Sequence, residues 1–554
     1  MNNEYILDNL VLISGVTGTE IESILEIARG DPEVSRILNR GRCIFKFEDL
    51  VGEVALGPCG DISQVIKLLL ISRPSARSIF RRALERFKDK SISNKCKSAI
   101  LSIHFSYLSR DVPTPNPILG EIVRLARNVK AVHISEDWYD ILYTISERLE
   151  QGECGSQYSP YNFNYLTILY WRGIDMSISE LLMEQHSNVT SYLYAIKHPQ
   201  ETTARFLRYL LGSQSLEPVY ISHPISSLRR AHVMLKCVSP RLKLGDLLLV
   251  KIIEEFKKAY LKMRKNIILF DPTTIDEKMM DTEDSILHGL CPEHSVRGEC
   301  RTAFTFLYIN GGNRWPIPSS APRMRKGHYK YVEDGVDLVP RLARLTGEEE
   351  ALIKDEVCSG NRGLWGVYEL IARRVQSIID SHIEIRDYKY VEQSKYVIVA
   401  LPAIYSLNPV SDGNREVHTQ GYAIKIWLIE SQGVYNELAR AQALAKPIYV
   451  YLLPVNLDLI ARMSTINADR EAILRYMGLR DESSCKPDII IDSPSNIEAI
   501  VKSLGVCVFK RISTPFSMIP AIARVFIAKP VITIEELNRL GTYYEDPGSY
   551  TIAI

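Results

Sequence analysis

Gly433-Val434-Tyr435-Asn436-Glu437 opens a helix-forming run that ends just before the apolar stretch Pro447–Leu453 (PIYVYLL). A second stretch of strand character, Tyr396–Leu401 (YVIVAL), lies upstream, and Asp387 is expected at the head of the helix that feeds it. Strand, helix and strand in that order build a parallel α/β sheet. Open sheets of this kind bind ligands beyond the carboxyl ends of their strands, and a carboxylate on the first turn after a glycine stands in that place. Ala439, Ala441, Ala443 and Ala445 are expected to let the helix pack tightly on the sheet. The apolar pattern does not require Glu437 itself. A glutamate near a helix N-terminus is also what the macrodipole favours, and pattern alone leaves that reading open.

Residues 219–453, with one long interruption, resemble the nucleoside deoxyribosyltransferase family, part of a wider group of N-glycosidic-bond enzymes with a flavodoxin-like sheet. Val219–Ile225 (VYISHPI) is similar to the family's first strand and the loop after it, and Ile267–Pro272 (IILFDP) to its second strand. Asp387, eight residues before Lys395, matches a family aspartate that contacts the substrate base. Gly433-x-x-x-Glu437, followed by Leu438-Ala439-Arg440-Ala441 and Lys446-Pro447, resembles the signature carrying the nucleophilic glutamate. The chain departs from the pattern at Ser431, where the family often has an aspartate two residues before the glycine; Glu430 stands one step earlier. Insertions at about 279–380 and 403–430 change what surrounds the pocket.

The resemblance implies a definite chemistry. A glutamate at a ribosyl C1′ attacks as the base leaves, splitting one difficult displacement into two easier ones. Two carboxyl groups govern glycoside cleavage through an oxocarbenium-like transition state by the same logic. Glu437 is then the nucleophile or cation stabiliser. Asp387 hydrogen-bonds or protonates the departing base, which asks for a raised pKa. Tyr220 and His223 line the ribose or phosphate side, and Asp271, Gly433 and Asn436 complete the expected substrate contacts. Read from the residues alone, His223 before Pro224 is a turn or core histidine, and Asp271 before Pro272 starts a turn.

A chain of 554 residues is too long for one core. Hydrophobic content of 46% and charged content of 24% are ordinary for a soluble globular protein. Sixty-seven basic against sixty-six acidic residues leave a formal charge of +1, so no global field points to nucleic acid or an anionic membrane. No uncharged apolar run approaches the roughly 18–20 residues of a membrane span. Met1-Asn2-Asn3-Glu4-Tyr5 lacks the basic and apolar regions of a signal peptide. Ten scattered cysteines suggest free thiols in a reducing compartment. The expectation is a cytoplasmic protein, and abundant Ile, Tyr and Arg suit a thermophile.

Residues 1–212 read as alternating strand and helix. Leu10–Ser14 forms a short apolar strand, followed by Gly15-Val16-Thr17-Gly18-Thr19 and a helix through Ala28. This resembles the start of a P-loop kinase, with Ala99–Tyr107 and Val129–Trp138 as further strands. The phosphate loop needs G-x-x-x-x-G-K-[ST], whereas Ile21 stands where the lysine belongs, between Glu20 and Glu22. Their charge repels a polyphosphate that the helix dipole would otherwise attract. The domain reads as a degenerate nucleotide-kinase fold, a pseudokinase without NTP hydrolysis. Arg81, Arg82 and Arg86 fall on a helix over 76–90 and read as a solvated face.

The connection 212–218 is the expected domain boundary. Within the insertion, the basic run 311–328 reads as a charge-rich surface loop that could also close over a phosphate. Cys291, His294 and Cys300 offer only three zinc ligands, so no metal is expected. Residues 406–432 read as a lid before Glu437. The sequence therefore gives an α/β protein of two modules: a degenerate P-loop-kinase-like domain (1–212) and a flavodoxin-like, deoxyribosyltransferase-like domain (218–510, insertion about 279–380), with an extension at 511–554. The expected function is N-glycosidic cleavage or base exchange, as hydrolase or transferase, on a nucleoside, nucleotide or related dinucleotide. No cofactor is implied, and the resemblance is compatible with a homo-oligomer. The alternative is an inactive nucleotide-sensing or scaffold protein.

Overall fold

The computed structural model describes residues 5–55, 62–109, 112–137, 165–225, 227–228, 248–275, 381–410, 421–429, 431–463, 470–477, 479–480, 484–512, 523–528 and 551–552, with a few further single positions. The chain is α/β with parallel sheets and forms two compact units. One contains the chain up to Leu216 together with Thr274, Ile275 and residues 381–389; the other contains Glu217–Thr273 and the chain from Tyr390 onward. The division after Leu216 falls inside the boundary expected at 212–218. The run 311–328, Cys291, His294 and Cys300 lie outside the described residues.

The first unit is built on β1 (Leu7–Ser14), β2 (Ile44–Lys46), β3 (Ser98–Ser102), β4 (Ala126–Ser135) and β5 (Val189–Ala195), ordered β2-β3-β1-β4-β5 and all parallel. Leu10 to Ile13 are buried without alternation, as expected for a strand covered on both faces. Its helices include α1 (Ile21–Gly30), α2 (Arg73–Ser93), α3 (Tyr165–Gln185) and α4 (Gln200–Leu210). Ala99–Tyr107 is not one strand: β3 stops at Ser102, and Ser106 turns its amide and hydroxyl onto Asp175, both at 2.9 Å. Arg81 and Arg86 lie on the exposed side of α2, paired with Glu121 and Glu53.

The second unit contains β6 (Glu217–Ser222), α5 (Leu248–Met263), β7 (Ile267–Phe270), β8 (Tyr396–Val410), β9 (Gly421–Leu428), α6 (Gln432–Ala443), β10 (Ile448–Asn456), α7 (Leu457–Met463), α8 (Arg470–Tyr476), α9 (Ile497–Ile512) and β11 (Ala523–Ile527). Its parallel core runs β7-β6-β8-β10-β11. From β6 the chain crosses one way to β7, and from the adjacent β8 it crosses the other way to β10. Right-handed crossovers in opposite directions put α5 and α6 on opposite faces. Accordingly Val219, Ile221, Ile267, Leu269, Ile398 and Ala400 pack with Ile252, Ile253 and Phe256 of α5 in a cluster that includes no residue of α6.

Three expectations need correction. Residues 406–432 are not a loop throughout: β8 continues to Val410, and β9 pairs with it antiparallel from Ala403↔Leu428 to Val410↔Gly421. The apolar side chains of Ile424, Ile426 and Leu428 recur at period two, which is a strand signal; 411–420 lie outside the described residues. The segment after 510 is no separate extension, because β11 pairs in parallel with β10. The cysteines are not all free thiols: Cys43–Cys96 and Cys485–Cys507 are disulfides, closing separations of 53 and 22 residues. Neither spacing marks a pair in the sequence, since the fold alone brings them within bridging distance.

Candidate functional site

The carboxyl ends of β6 and β8 flank the point where connections leave the second sheet in opposite directions, the crevice that binds ligands in open α/β sheets. β6 ends at Ser222, level with Val399. Beyond that level β9 takes the edge of β8 that β6 has vacated. The chain leaves β9 through Ile429, whose amide donates to the Pro402 carbonyl at 3.0 Å, and enters α6 at the sheet's carboxyl edge. Ser431 caps the helix by accepting the Val434 amide at 3.3 Å. The sequence's departure at this position is thus a working N-cap.

Glu437 is buried, with 6% exposure, on the face of α6 that also buries Val434, Leu438 and Ala441. Gly433 lies one turn before it; a Cβ there would sit 4.0 Å from Glu437 Oε1, in ordinary contact. Asn436 is half-buried on the helix flank and accepts from Gln432 Nε2 at 3.0 Å. Only Ala441 of the alanine series is buried, whereas Ala439, Ala443 and Ala445 are exposed. Residues two apart cannot share one helical face.

Beside this edge stands a charged cluster. Asp271, directly after β7, accepts the Thr273 amide at 2.9 Å and its hydroxyl at 2.7 Å through Oδ1, the expected turn. Its Oδ2 lies 2.7 Å from Lys257 Nζ of α5, and Lys257 also reaches Glu254 at 2.8 Å. Burial pushes the Asp271 carboxyl upward, but the Lys257 charge outweighs it and holds the group well below its usual range. Burial likewise opposes the Lys257 charge, yet Asp271 and Glu254 raise its pKa. His223 follows β6, with Nε2 3.7 Å from Asp271 Oδ1. Burial first, then the Lys257 charge, lowers its pKa, so the ring is neutral near pH 7 and the contact is no salt bridge. Neither ring nitrogen has a hydrogen-bond partner among the described residues.

Tyr220 is buried on the opposite sheet face from the α5 cluster, 6.1 Å from the Tyr390 ring, which stacks on Phe270 at 5.1 Å. Asp387 is not at a helix head; residues 381–393 are helical throughout. Its Oδ1 accepts from Arg386 Nε at 2.9 Å. Asp387 belongs to the first unit and Glu437 to the second. The structure thus joins Asp271 with His223, and Gly433 with Glu437. Sequence reading missed Lys257, although it stands on the apolar stripe between Ile253 and Tyr260 at helical spacing; the surrounding Glu and Lys residues disguise it as a solvated face.

In the first unit, the loop after β1 turns through Gly18 at φ +97, and a Cβ on Gly15 would press on the Thr19 side chain at 3.0 Å. The Glu20 amide, at the head of α1, donates to Glu136 Oε2 at 3.0 Å. A protein carboxylate therefore fills the place where a helix N-terminus would take an anion. Below it, Asp175 accepts from Ser14 Oγ at 2.8 Å and Ser106 Oγ at 2.9 Å and meets His133 Nδ1 at 2.9 Å, all buried.

Among the described residues, no three His, Cys, Asp or Glu side chains converge on a metal-sized site, and no helix is long and apolar enough to cross a membrane. Neither a known family model nor a curated protein sequence matches the chain.

Proposed function

We propose that the second unit cleaves or exchanges the N-glycosidic bond of a nucleoside, nucleotide or related dinucleotide, with Glu437 as the carboxylate nucleophile or cation stabiliser. The carrying observation is the burial of Glu437 on the first turns of α6, which begins at the carboxyl edge of β8 beside the strand-order reversal. A glutamate serving only the helix dipole would gain as much in solvent; burying a carboxylate is costly and calls for a compensating role. The order β7-β6-β8-β10-β11 supports the flavodoxin-like reading. His223 and Asp271, after β6 and β7, supply polar groups for the sugar or phosphate side, with Lys257 fixing Asp271.

The order β2-β3-β1-β4-β5 supports a kinase-like ancestry for the first unit. The Glu136 carboxylate at the head of α1 favours a domain that has lost polyphosphate binding. A co-crystal with a nucleoside tests the assignment. It should place the anomeric carbon about 3–3.5 Å from a Glu437 oxygen, the separation of a near-attack geometry. A nucleoside seated elsewhere would refute the assignment.

A further inference from the structure

The second unit carries a covalent tie on the strand that delivers the chain to α6. Among the described residues, the outer edge of β9 is covered by two short contacts. Cys485 exchanges backbone hydrogen bonds with Ile426 at 2.8 and 2.9 Å, and the two-residue strand Ile490–Ile491 pairs antiparallel with Tyr422 and Ala423. The covering segment has little hold of its own. Ile490 is 66% exposed, and Lys486 and Asp488 face solvent. Pairing this short is marginal without other support.

The support comes from α9. Ile500, Leu504 and Cys507 recur at i, i+4 and i+7 and are all buried, so Cys507 sits on the anchored face of that helix. Its disulfide to Cys485 fastens the edge segment to this face. The disulfide of the first unit has a different setting: Cys43 and Cys96 are both buried, whereas Cys485 is half-buried on an edge. Thiol–disulfide exchange depends on access to a sulfur. Beyond β9 the chain passes through Ile429 to Ser431, the cap of α6, so a tie on β9 bears on the helix that carries Glu437.

We propose that Cys485–Cys507 is a redox-sensitive latch: a dithiol reductant opens it, frees residues 484–491 from β9 and loosens the head of α6. A thiolate of the reductant attacks Cys485 Sγ, and Cys507 leaves as a thiolate that takes up a proton. The reductant's second thiolate then attacks the mixed disulfide, releasing Cys485 as a thiol and closing a disulfide within the reductant. Two electrons and two protons thus pass from the dithiol to the cysteine pair. The bearing of the latch on catalysis rests on the activity proposed for Glu437; the latch itself does not.

Graded dithiothreitol on the full chain, read by thiol alkylation and mass spectrometry, should reduce Cys485–Cys507 before Cys43–Cys96. In the singly reduced protein, hydrogen exchange at the Ile426 amide should quicken about tenfold, as for local opening. The Val434 amide should quicken with it, and the Val450 amide in the core of the sheet should not. Cys507→Ser should show the fast exchange without reductant and no further response to it. Should that variant fail to fold, the singly reduced natural chain decides. Reduction of Cys43–Cys96 first, or unchanged exchange at Ile426 once Cys485–Cys507 is open, overturns the latch. Base release from the same samples should fall several-fold on reduction; an unchanged Val434 amide or an unchanged release rate overturns the link to α6. No release from the oxidised protein would count against the Glu437 assignment instead, with the exchange data still deciding the latch.

Discussion

Lys257 holds its ammonium 2.7 Å from Asp271 Oδ2, joining α5 to the loop after β7 through a charge pair that is largely withdrawn from solvent. Removing one member of such a pair strands the other. Lys257→Met should therefore destabilise the protein by roughly 3–5 kcal/mol, read from urea unfolding. Lys257→Met combined with Asp271→Asn should recover much of that loss. Equal losses in the single and double variants would show that the charge pairing is not what matters.

The histidines set an acid limb. In the unfolded chain they take protons below about pH 6.5, whereas His382 in the fold resists protonation down to about 3 and His223 is shifted the same way. The unfolded state thus binds more protons in that window, and stability falls as pH drops through it, by about 1.4 kcal/mol per pH unit for each histidine. Asp271, with its lowered pKa, contributes stability above its ordinary value near 3.9 and loses it as pH falls through the folded value. Lys257, with its raised pKa, contributes below about 10.4 and loses it as pH rises through the folded value. Chemical unfolding across pH should show a neutral plateau, and His382→Gln should flatten its acid side.

Both disulfides constrain the unfolded chain. Chain-entropy arithmetic assigns about 4 kcal/mol to a loop the size of Cys43–Cys96 and about 3 kcal/mol to one the size of Cys485–Cys507. Cys43→Ser should accordingly lower the unfolding midpoint of the first unit more than Cys507→Ser lowers that of the second. Loss of the first disulfide without effect would count against its structural role.

Much of this architecture was legible in the sequence. Unbroken apolar runs such as Leu10–Ser14 and Tyr396–Leu401 marked the parallel strands. The hairpin extension of β8 was hidden by Asn408-Pro409, which read as loop although β9 pairs with both residues. Lys257 and the disulfides were illegible for a common reason: each depends on a partner that only the tertiary fold supplies. Glu437 was legible as a residue of interest, but its burial was not, because helical periodicity does not distinguish a buried charged residue from one facing water.

Glu136 offers a test of the closed anion slot. Glu136→Ala removes the acceptor of the Glu20 amide and should cost about 1 kcal/mol, the usual worth of a helix-end contact. Glu136→Gln keeps an oxygen there and should cost less. A thermal-melt series on the two variants checks the ordering, and a reversed order would show that this contact does not stabilise the head of α1.

Base release is the most direct measure of the central assignment. Chromatography of a panel of nucleosides, nucleotides and NAD incubated with the protein should reveal a freed or exchanged base from at least one of them. Glu437→Gln should slow that release at least a hundredfold while leaving ligand binding intact. Release at the same rate by both proteins, or tight binding by both without any turnover, would contradict a catalytic Glu437.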